Sequence, residues 1–182
     1  MKKSIYYSLL ISAMMSVSVA EETRQVDKHE HGVGVLNIAT EGSSINFEFM
    51  IPGADIVGFE YKAKSDSDIA LVNAALTKFE QTDNIFIIPS PSNCALLDSK
   101  IEIDQGEEHD DHDEHDEEAH NEFVAHYSFN CGNVKEIDRI DFPYFNTFPN
   151  SGELEVQFVS GVGSTSFEVE GDKPFIDLKG KI

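Results

Sequence analysis

The chain has 182 residues and carries 34 acidic against 13 basic side chains, a formal net charge of −21. Binding to nucleic-acid phosphates draws on Lys and Arg displacing condensed counterions, so that class is disfavoured, as is attraction to an anionic membrane surface. A field of this sign concentrates cations instead, and 40% hydrophobic residues with 13 phenylalanines suffice for a packed core.

The N-terminus reads as a targeting segment. Lys2 and Lys3 precede an apolar stretch from Ile5 to Val19, and Ser18-Val19-Ala20 offers the small residues that a signal peptidase reads. Fifteen residues interrupted by Ser8, Ser12, Ser16 and Ser18 are too short and polar to span a bilayer. A signal peptide over residues 1–20 is expected, with residues 21–182 as a single exported domain. Export implies a bacterial periplasm and no membrane insertion after cleavage. In an oxidising compartment an isolated thiol pair forms a disulfide, so Cys94 is expected to bond Cys131.

Val35 and Ile38, a turn at Glu41-Gly42-Ser43-Ser44, and Ile45, Phe47, Phe49 and Ile51 alternating with polar residues predict a hairpin. Ile69, Val72, Leu76 and Phe79, with Ala75 on the same face and N-cap serines at Ser65 and Ser67, predict a helix over 67–80. Ile85–Ile88 reads as a short strand stopped by Pro89 and Pro91, and Cys94–Ile103 as another. Phe123, Ala125, Tyr127 and Phe129 alternate along a strand ending at Cys131. Asn133 is placed to cap a short helix with Val134, Ile137 and Ile140 inward. Three closing strands follow, around Leu154–Phe158, Phe167–Val169 and Phe175–Leu178. The fold class is α+β, an antiparallel sheet with two helices. A loose similarity between Phe47–Val57 and Tyr127–Ile137 is what two copies of a split β-α-β unit would produce.

The segment at about 104–122 carries the chemistry. From Glu102 to Glu122 there are 12 acidic residues, no Lys or Arg, and His109, His112, His115 and His120. It cannot bury enough apolar surface to order itself and is expected to be a disordered loop on a folded base. Acid alone explains solubility but not four histidines. Neutral imidazole is the preferred nitrogen ligand for Zn(II), Cu(II) and Ni(II), with carboxylates completing the shell, so these four are candidate metal ligands. A second cluster, His29-Glu30-His31, precedes the first strand. With His126, on the polar face of its strand, it would make three imidazoles and a carboxylate. No His-Glu-x-x-His, Gly-x-Ser-x-Gly or phosphate loop is present, and no enzyme is expected.

On these residues the chain resembles the ZrgA family of periplasmic zinc-regulated proteins. The matching features are His29-Glu30-His31-Gly32, Pro52-Gly53-Ala54-Asp55-Ile56-Val57-Gly58-Phe59-Glu60, Cys94 before the acidic insert, and Phe123-Val124-Ala125-His126-Tyr127-Ser128-Phe129-Asn130-Cys131 after it. The resemblance implies a periplasmic protein that binds Zn(II) and assists high-affinity uptake by an ABC importer and its zinc-binding receptor. The family pattern has His after the Phe-Glu, where this chain has Tyr61, so the loop is expected to carry more of the binding. The competing reading is an acidic interaction protein with adventitious metal binding, or a buffer for Cu or Ni.

Overall fold

A computed structural model describes residues 31–104 and 120–182. In chain order the strands are β1 (Val33–Glu41), β2 (Ser44–Pro52), β3 (Cys94–Asp104), β4 (Glu122–Cys131), β5 (Arg139–Asp141), β6 (Glu153–Ser160), β7 (Gly163–Glu170) and β8 (Phe175–Asp177). The helices are α1 (Gly53–Val57), α2 (Asp66–Glu80) and α3 (Tyr144–Thr147). Six strands form one sheet in the order β3-β4-β2-β1-β6-β7, and β5 pairs with β8 in a two-stranded sheet. The α+β class and the single domain stand.

The β1–β2 hairpin turns through Gly42 and Ser43, with Gly42 at φ 59°, a region open to glycine at no steric cost. Period-two alternation then decides what lies under the sheet. Ile45, Phe47, Phe49 and Ile51 of β2 and Phe123, Ala125, Tyr127 and Phe129 of β4 are buried, as are Leu36, Ile38, Leu154, Val156 and Phe158. The opposite face carries Asn46, Glu48 and His126.

On the inner face, α2 begins where Ser65 Oγ accepts the Asp68 N–H at 3.1 Å, as the capping pattern requires. Its C-terminal end is tied down by Tyr127, whose hydroxyl donates to the Phe79 carbonyl at 2.7 Å. Residues 85–88 do not form the expected strand. Ile87 makes only an isolated bridge to Asp141. The chain instead drops Phe86 onto Phe47, ring centroids 4.1 Å apart, with Tyr127 and Phe129 edge-on to it. Burying that ring contributes more than a ladder cut short by Pro89 could.

The second expected helix is also corrected. Asn133 makes no capping bond, residues 134–136 form a single 3-10 turn, and Ile140 lies on β5. The further helical turn falls later, at α3, where Pro143 presets the backbone. The sheet is not wholly antiparallel either, because β1 runs parallel to β6. The two similar stretches lie on β2 and β4, which are antiparallel neighbours with Phe47 facing Tyr127. β2 and β3 run parallel with β4 between them and α1 and α2 in the connection, a split β-α-β arrangement in which β2 and β4 are the corresponding first strands of two such units.

Candidate metal centre

Antiparallel pairing of β2 with both neighbours brings three chain segments to one end of the sheet. The end of β2, where Pro52 faces Glu122, lies beside the starts of β1 and β4. His31 lies just before β1, His120 just before β4, and Glu60 just after α1.

Hydrogen bonds stitch these segments together. The Gly53 N–H donates to the Asn121 carbonyl at 2.8 Å, and the Asn121 N–H donates to the Glu60 carbonyl at 2.8 Å. The buried Asn121 side chain donates through Nδ2 to the Tyr61 carbonyl at 2.5 Å. Gly53 must be small, since a Cβ there would lie 2.7 Å from the Phe59 carbonyl oxygen and 3.0 Å from that of Asn121. On the other side the Gly32 N–H donates to Asp55 Oδ1 at 2.9 Å, while the Gly32 carbonyl accepts from the N–H groups of Gly152 and Glu153. His31 and His120 therefore sit on anchored backbone.

The side chains converge on Glu60, which is only 10% exposed. Its Oε2 lies 2.5 Å from His120 Nδ1 and 3.5 Å from His31 Nε2. These groups line an open cleft of about 730 Å³ shared with Phe59, Tyr61 and Lys62. Asp55, bonded to the Gly32 N–H next to His31, is 3% exposed. Burial raises the Asp55 carboxyl above its ordinary range, and Glu60 raises it further, against the Gly32 hydrogen bond and His31, which lower it.

In a tetrahedral zinc shell with bonds of about 2.0–2.2 Å, neighbouring ligand atoms stand about 3.4 Å apart. The His31–Glu60 separation already has that value, whereas His120 and Glu60 are in direct hydrogen bond. Accordingly, among the described residues no set of three His, Cys, Asp or Glu side chains stands as an assembled shell. A cation entering here would replace one hydrogen bond, with little change to the backbone.

Of the residues expected from sequence, His31 and His120 are brought together. His126 is not with them. It lies mid-strand on the outer face, Nδ1 3.8 Å from Glu48 Oε1, in a separate shallow depression. Four residues of extended chain put it about 13 Å from Glu122, too far to share an ion with His31. His29, Glu30, His109, His112 and His115 lie outside the described residues, as does the signal segment 1–20. Cys94 and Cys131 form the expected disulfide, facing each other across β3 and β4. It braces the two strands that bound the acidic loop, but from the end opposite the cleft.

Sequence reading did not single out Glu60, Asp55 or Asn121 as site residues. For Asp55 and Glu60 the signal was the Pro52–Glu60 run itself, with its two glycines and two acids, whereas nothing in the sequence pointed to Asn121. At Tyr61 the ring is 58% exposed and stacks on Phe59 at 4.5 Å, placing no nitrogen donor there.

In class this is a single α+β domain with a histidine–carboxylate cleft at one sheet end. No helix among the described residues is long and apolar enough to cross a membrane. The family model described as ZrgA family zinc uptake protein matches residues 28–178, and the chain belongs to that family. The match begins just before His29-Glu30-His31 and spans the whole cleft. No curated protein matches the chain.

Proposed function

We propose that this protein captures Zn(II) in the bacterial periplasm, after cleavage behind Ala20, and passes it to the zinc-binding receptor of an ABC importer. The observation that carries the reading is the convergence of His31 and His120 on the half-buried carboxylate of Glu60. Two imidazoles and a carboxylate are a donor set that suits zinc, and the protein's anionic field raises the local cation concentration.

The acidic loop acts as the collector. His109, His112 and His115, interleaved with Asp and Glu, add further imidazole and carboxylate donors for the ion. His120 joins loop to cleft, so an ion gathered by the loop has a short transfer to a fixed centre. The reading requires exchange fast enough for a tighter receptor to take the ion. No catalytic role is assigned.

Calorimetric zinc titration of the metal-free mature protein tests this. Substituting His31 and His120 by Ala should remove the tightest site, and substituting His109, His112 and His115 should lower stoichiometry while leaving that site. Unchanged affinity and stoichiometry in both variants would refute the reading and leave the acidic interaction protein. Tighter Cu(II) or Ni(II) binding, with metal limitation rescued by those ions alone, would reassign the cargo.

A further inference from the structure

Among the described residues two buried side-chain atoms lack a hydrogen-bond partner, and both are carboxylate oxygens of one short segment: Asp55 Oδ2 and Glu60 Oε1. Folded proteins pair their buried polar groups, and an unpaired carboxylate is the costliest exception. Each of these acids is engaged through one oxygen only, Asp55 by the Gly32 N–H and Glu60 by His120. No need of the fold accounts for that arrangement, because Oδ1 alone suffices to hold Gly32.

We propose that Asp55 is a ligand of the same centre, so that the cleft binds a divalent transition cation through two imidazoles, His31 and His120, and two carboxylates, Glu60 and Asp55. This rests on the reading of the cleft as the zinc site and extends it. Two carboxylates balance the charge of one divalent ion, which removes most of the penalty of holding the ion against a buried floor. A set of two nitrogens and two oxygens, without thiolate or thioether, suits Zn(II) and disfavours Cu(I). With Asp55 the chain would supply four donors although Tyr61 contributes none, and the side chains must draw together around the ion, since among the described residues they do not stand as an assembled shell.

The test uses the full mature chain and the metal alone. Asp55→Asn keeps the shape and an oxygen for the Gly32 N–H but removes the charge. Zinc affinity of the tightest site should fall by about ten- to a hundredfold, with a matching change in the visible spectrum of the Co(II) form. In the unsubstituted protein the Asp55 carboxyl ¹³C resonance should shift on adding one equivalent of zinc, a readout that needs no variant to fold. Wild-type affinity and Co(II) spectrum in Asp55→Asn, or an unmoved resonance, would overturn the proposal even if His31→Ala and His120→Ala lose the site. If those two variants also bind normally, the reading of the cleft itself fails.

Discussion

Gly53→Ala adds one methyl group at the point where the cleft's segments touch. The new carbon would meet the Phe59 carbonyl oxygen at 2.7 Å, the Asn121 oxygen at 3.0 Å and Asn121 Cβ at 3.2 Å. Two of these are backbone atoms that cannot swing aside, so residues 59–60 and 120–121 must separate by several tenths of an ångström. Overpacking of this kind costs about 1–3 kcal/mol, and alanine's better helix propensity at the start of α1 offsets up to about 1 kcal/mol. A net loss of about 1–2 kcal/mol in urea unfolding is expected for the metal-free protein. The larger effect falls on zinc, because the same movement carries Glu60 away from His120, and displaced supporting contacts cost about tenfold or more in metal affinity. Calorimetry and urea melts on the same preparation separate the two. Reduced stability with wild-type zinc affinity would refute the link between the Gly53 contact and the centre, and no change in either would refute the steric argument.

Removing the disulfide by Cys94→Ser with Cys131→Ser, a sequence separation of 37, should cost about 4 kcal/mol in the chain-entropy model. Zinc affinity should be retained, since the bridge lies at the sheet end opposite the cleft, and a lost site would show that the two ends are coupled. Zinc affinity should fall at least about tenfold between pH 7.5 and 5.5 as protons compete for imidazole nitrogen. A flat profile would count against His31 and His120 as ligands. Asp55 gives a separate signature in the metal-free protein. Its carboxyl titrates higher when folded, so the native state binds the proton more tightly and stability declines as pH rises from the unfolded value of about 3.9 through the folded one. The stability of Asp55→Asn relative to wild type should therefore grow across that window in urea melts, and a pH-independent difference would contradict the burial of a charged Asp55.

Local pattern was sufficient wherever a residue's role follows from its own neighbours in sequence. Alternation along 45–51 and 123–129 marked the buried sides of β2 and β4, the Ser65 cap marked the start of α2, and two lone thiols marked each other as partners. The same local logic misplaced residues 85–88, because Phe86 left the extended conformation to fill the aromatic core between β2 and β4, a demand set by side chains 40 residues away on either side.

What the amino-acid sequence determined by itself is the α+β class, the main strands, the long helix, the disulfide pair and the cation-attracting chemistry of clustered imidazole and carboxylate. Only the tertiary structure decided which of those groups share a site. Three segments far apart in sequence meet because β1 and β4 both run antiparallel to β2, which sets His31 and His120 beside Glu60 and leaves His126 stranded on the outer face. Spacing along a chain can name the donor atoms, but coordination depends on distances in space, and those are fixed by strand order and register.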